Sequence, residues 1–133
     1  MKYYTPKIEE FHVGFEYEVE LNSGEWVKHE LSTLSELNFE DWSVKQNDVR
    51  VKFLDIEDIK SLGWEEQYGK YVIDKSTDFP NERIIFTLLF NGSTNIEIFK
   101  TSLTSYGNHN EKMQFKINNK SEFRKLMYQL NVL

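Results

Sequence analysis

The residues of this chain whose types and spacing could do chemistry are three histidines and a run of carboxylates; there are no cysteines. Thiol nucleophiles, disulfides and thiolate–zinc sites are therefore excluded. His12, Glu16, Glu18 and Glu20 fall at even positions of Phe11–Leu21, whose odd positions are Phe11, Val13, Phe15, Tyr17, Val19 and Leu21. In a strand, alternate residues share a face, so these polar groups would line one wet face over an apolar one. A turn at Asn22-Ser23-Gly24 would bring His29 toward the same place. A cluster of His and Glu is the donor set that a divalent metal or an acid–base pair needs. No further ligands recur at metal-binding spacing, however, and carboxylates also keep an exposed strand soluble. His109, within Gly107-Asn108-His109-Asn110, reads as an exposed loop residue. No nucleophile elbow, phosphate loop, dinucleotide fingerprint or zincin helix is present. The expectation is a protein that is not an enzyme, with no catalytic residue, metal or cofactor.

The charges point instead to binding. The net charge is −6. Residues 1–66 carry sixteen acids and seven bases, and residues 67–133 carry six acids and nine bases. Glu16, Glu18 and Glu20 would stand about 6.5–7 Å apart along one face, close to the spacing of successive phosphates on a nucleic-acid strand. Such a row suits a protein partner with a basic surface, one built to hold nucleic acid. The alternative site is the basic C-terminal end, with Lys116, Lys120, Arg124 and Lys125, through which RNA would be contacted directly. An amphipathic helix needs such residues on its polar face in any case.

These residues must be positioned by a small number of elements. A chain of 133 residues has the length of one domain, and ten Phe, seven Tyr and three Trp can fill a core although hydrophobic residues make up only 39%. Residues 1–133 read as a single domain. Met1–Lys7 has no apolar run behind its charge, which predicts no signal peptide. Ile84–Phe90 is the longest apolar stretch, far short of the roughly 20 residues of a membrane span. A soluble, cytoplasmic protein without membrane contact is expected.

Beyond the first hairpin, strands are expected over Asp48–Asp55, Gly69–Asp74, Glu82–Asn91 and Asn95–Thr101, and again around Met113, Phe115 and Ile117. Tyr106–Asn110 reads as a polar loop. Asp55 and Asp58 have capping-box spacing before a short helix with Ile56, Ile59 and Leu62 on one face, closed by Gly63. Trp64 is placed to pack back on it. Asn119 and Glu122 open a terminal helix whose apolar face is Phe123, Leu126, Met127 and Leu130. Ser32–Trp42 fits either a loop or a helical turn carrying Leu34 and Leu37. Ser76–Asn81 is a break containing Pro80. The pattern predicts an α+β fold: a mainly antiparallel, twisted β-sheet with a short internal helix and a C-terminal amphipathic helix.

Three stretches carry a resemblance: Tyr3–Glu18, Val51–Trp64 and Phe115–Met127. Together they are similar to small uncharacterised proteins of phages and integrated mobile elements. The resemblance implies a counter-defence setting. There the chain would be an anti-CRISPR-like inhibitor binding an RNA-guided nuclease, with the type VI-B RNA-targeting effector the most specific candidate. A phage structural or housekeeping role is the alternative in that setting.

Overall fold

Alternation of apolar and charged residues does build a strand near the N-terminus, but a shorter one than the pattern predicts. In the computed structural model, which describes residues 2–32, 48–76 and 82–132, that strand is Glu16–Glu20. Before it, Ile8–Glu10 forms a 3-10 turn and Gly14 takes φ +90°, a left-handed conformation suited to glycine. The Phe15 amide donates to the His12 carbonyl at 2.9 Å, closing a reverse turn. The turn breaks the period of two. Phe11 and Phe15 are both buried, while Val13 is 61% exposed and Leu21, beyond the strand, 45% exposed.

The chain divides into two compact units. The first comprises Met1–Phe53 with Asn119–Ser121. Its strands are β1 (Tyr3–Tyr4), β2 (Glu16–Glu20), β3 (Trp26–Glu30) and β4 (Val49–Lys52), in the order β1-β4-β2-β3, all neighbours antiparallel. The expected hairpin is present: Glu16 faces Glu30, Glu18 faces Lys28 and Glu20 faces Trp26. Phe11, Phe15, Leu31, Val49 and Val51 form the core, with Tyr4, Ile8, Tyr17 and Val19 packed against it. At its margin the buried Asn119 amide donates to the Tyr4 hydroxyl, which donates to the Glu10 carboxylate, each at 2.8 Å. Such a satisfied chain avoids the cost of a buried polar group.

The second unit comprises Leu54–Asn118 with Glu122–Leu133. Its strands follow sequence order as an antiparallel meander: β5 (Glu65–Gln67), β6 (Lys70–Ser76), β7 (Arg83–Leu89), β8 (Asn95–Thr104) and β9 (Gly107–Lys116). The first helix, α1 (Ile56–Ser61), has the expected cap. The Asp58 amide donates to the Asp55 carboxylate at 2.9 Å, and the Asp55 amide donates back to Asp58 at 3.3 Å. Gly63 ends it at φ +94°. Ile59 is fully buried, but Ile56 is 42% exposed and does not share its face as expected, since it sits in the first turn of a helix only six residues long. Trp64 is buried with its ring 6.1 Å from that of Phe123. Strand β5 is additional to the strands expected from the sequence. It is a short polar strand turned into β6 by Tyr68 and Gly69, both left-handed.

The polar loop expected over Tyr106–Asn110 is also corrected. The chain turns at Ser105-Tyr106, and Gly107 onward is strand, so His109 pairs with Ser102 instead of lying in a loop. Local polarity misleads here because β8 supplies the backbone partners that a loop would take from water. The terminal helix α2 (Lys120–Gln129) follows the prediction, with Phe123, Leu126 and Met127 buried and Leu130 half-buried. Glu122 reaches one residue beyond the cap and accepts from the Asn118 amide at 2.7 Å. These side chains share a core with Tyr71, Phe86, Leu88, Ile96 and Ile98. The fold is α+β, with its antiparallel strands divided between a four-stranded and a five-stranded sheet. The readings made for Leu34, Leu37, Trp42 and Pro80 lie outside the described residues. No described helix is long and apolar enough to cross a membrane.

Candidate functional site

Cross-strand partners in an antiparallel sheet point to the same side, so the register of the first unit defines its outward face. Tyr17 and Val19 pack on the core, which leaves Glu16, Glu18 and Glu20 on the other side of β2. Arg50 is opposite Glu18 on β4, Lys28 opposite Glu18 on β3, and Trp26 opposite Glu20. Lys52 lies two residues from Arg50 and faces Tyr3. The outward side therefore carries Tyr3, Trp26, Arg50 and Lys52 among the glutamates.

Arg50 is the centre of this face. Its guanidinium carbon lies 3.7 Å from the centroid of the Tyr3 ring and 4.1 Å from that of Trp26. Arg50 Nε donates to Glu18 Oε2 at 3.3 Å and Nη2 to Oε1 at 3.5 Å, with the two side chains 27% and 16% exposed. Stacking on the rings and a forked pairing to one carboxylate are what a planar, delocalised cation does and an ammonium cannot. Each ring contact is worth about 0.5–1 kcal/mol at a partly exposed site. Arg50, Tyr3, Trp26 and Glu18 are thus held in one arrangement.

The expected glutamates do share a face, but they are not a row of free acids. Glu18 is tied to Arg50 and stands opposite Lys28, Glu20 is exposed beside Trp26, and Glu30 stands opposite Glu16. The histidines do not join them. His12 precedes the turn, with Nδ1 3.0 Å from the Glu10 carbonyl oxygen and its ring edge-on to Phe15. His29 is opposite Tyr17 and stacks on its ring at 5.7 Å, on the side of the sheet away from Glu16 and Glu18. Among the described residues no group of His, Asp and Glu is placed to hold a metal ion.

In the second unit, Lys116 and Lys125 line a groove of about 470 Å³ with Phe115, Asn118 and Gln129. Lys120 and Arg124 do not line it; they are one turn apart on α2 and half-buried. A second groove, of about 850 Å³, runs past the Asn91–Asn95 turn and is lined by Phe90, Phe115, Glu97, Gln114 and Lys116 among others. On β6 and β7, Arg83 Nε donates to Asp74 Oδ2 at 2.8 Å. That hydrogen bond holds the Asp74 carboxyl below its ordinary value and raises Arg83.

Sequence reasoning placed Arg50 within the expected Asp48–Asp55 strand but missed its union with Tyr3 and Trp26. The available signal was Trp26 itself, a large aromatic opposite the exposed Glu20 where a polar residue would be ordinary. No family model, no curated protein and no solved structure matches the chain.

Proposed function

We propose that this chain is a non-enzymatic binding protein that engages a protein partner through the outward face of its four-stranded sheet. One observation carries the reading: the Arg50 guanidinium is held between the Tyr3 and Trp26 rings and anchored by Glu18 on a face that points away from the core. Trp, Tyr and Arg are the residues that dominate interface energetics. Fixing them beforehand lowers the ordering cost of association. Glu16, Glu20 and Glu30 surround the cluster, so a partner surface with basic residues is the complementary one. Within this reading, the resemblance to phage and mobile-element proteins supports a narrower form, an inhibitor of an RNA-guided nuclease.

The test is a partner capture with the purified chain, followed by affinity measurements on Trp26→Ala and Arg50→Lys. Loss of a central anchor costs 2 kcal/mol or more, about thirtyfold in affinity. Both variants are expected to lose at least that much while remaining folded by circular dichroism. Unchanged affinity in both would discard this face. The narrower form is checked by adding the protein to a programmed RNA-targeting nuclease and measuring RNA cleavage. If affinity instead falls on Lys116→Glu with Lys125→Glu and the retained ligand is RNA, the groove they share is the site.

A further inference from the structure

We infer that β9 is a docking strand for a second copy of this chain. The five-stranded sheet ends in two different edges: β5, with three residues, and β9, with ten. A short edge strand offers little to a stranger, whereas a long one is a template for further pairing. The β9 register against β8 is unbroken from Asn95 opposite Lys116 to Thr104 opposite Gly107, and β9 contains no proline.

The bonding phase of this edge follows from one hydrogen bond. The Ile117 amide donates to the Thr94 carbonyl at 2.7 Å. In an antiparallel ladder alternate residues bond to the same neighbour, so Phe115, Met113, Glu111 and His109 turn their backbone groups toward β8. Asn108, Asn110, Lys112, Gln114 and Lys116 turn theirs outward. No hydrogen bond among the described residues takes up those outward backbone groups. The strand is also exposed over His109–Lys112.

The side chains choose the occupant. Two copies related by a twofold axis normal to the sheet pair antiparallel about a single residue. Centring on Glu111 or Lys112 would set like charges face to face, and centring on Met113 would set Glu111 against Phe115. Centring on Asn110 places each His109 opposite the other copy's Glu111 and each Asn108 opposite Lys112. His109 and Glu111 already form an exposed pair at 3.5 Å within one strand, so the second strand completes an alternating square of the two groups. Each outward-facing pair adds two backbone hydrogen bonds, and the result is one continuous sheet through both copies.

Sedimentation velocity on the full chain, from low micromolar to near-millimolar concentration, is the test. The wild type is expected to shift from monomer to dimer. Asn110→Pro removes an outward donor without touching the β8 ladder and should raise the dimer dissociation constant more than about tenfold. His109→Glu should weaken the dimer by like-charge opposition, and adding Glu111→Lys should restore it. A wild type that stays monomeric throughout overturns the inference, as does a dimer that none of these substitutions changes. Should Asn110→Pro fail to fold, the two charge variants decide the matter alone.

Discussion

At the scale of single residues, the glutamates of β2 differ in what they do. Glu20 is exposed beside Trp26, so Glu20→Lys should alter stability by under about 0.5 kcal/mol. Glu18→Lys would set an ammonium against the Arg50 guanidinium at a position only 16% exposed, and a loss of about 1–2 kcal/mol is expected. Urea unfolding of the two variants side by side measures the difference; equal effects would mean that Glu18 does not hold Arg50 in place. Asp74 offers a second measurement. Its carboxyl is held below its ordinary value by Arg83, so its contribution to stability is present above the unfolded-state pKa and disappears as pH falls through the folded one. Carboxyl NMR should find Asp74 titrating lower than a free aspartate, and Arg83→Ala should return it to the ordinary range.

At the scale of elements, the terminal helix and the α1 stop have distinct physical bases. Leu126 is 6% exposed among Phe123, Met127 and the β-sheet residues of its core, so Leu126→Ala should cost about 2–5 kcal/mol. A loss below about half a kcal/mol in denaturant unfolding would mean an undocked helix. Gly63 stands at φ +94° with open space where a Cβ would go. Gly63→Ala should therefore cost about 1–2 kcal/mol through backbone strain alone, with the core around Trp64 unchanged by near-ultraviolet circular dichroism. Replacing Gly63 with Asn, which tolerates the left-handed region, should recover part of that loss.

At the scale of the whole molecule, the uneven charge is an argument about association. With net charge −6 and its acids concentrated in residues 1–66, the chain should meet a basic partner faster at low salt. The Debye length shrinks from about 10 Å at 0.1 M to about 3 Å at 1 M salt, so the association rate should fall steeply over that range while dissociation changes little. Stopped-flow mixing with the captured partner measures both rates. A salt-independent association rate would leave the Arg50 cluster as an anchor without electrostatic steering, and Trp26→Ala would then change dissociation alone.

Much of this was legible in the chain itself. The β2–β3 hairpin, the Asp55–Asp58 cap, the Gly63 stop and the apolar face of α2 depend on neighbours only a few residues apart. Their periodicity and turn chemistry therefore specify them without reference to the fold. What tertiary structure decided needed distant partners. The Phe11–Leu21 alternation is interrupted by the His12–Phe15 reverse turn, with Gly14 left-handed, which leaves Val13 exposed between the buried Phe11 and Phe15. The polar Gly107–Asn110 segment is strand because β8 lies beside it. Arg50 meets Tyr3, Glu18 and Trp26 only once β4 enters between β1 and β2, joining residues far apart in sequence through a register that no local pattern contains.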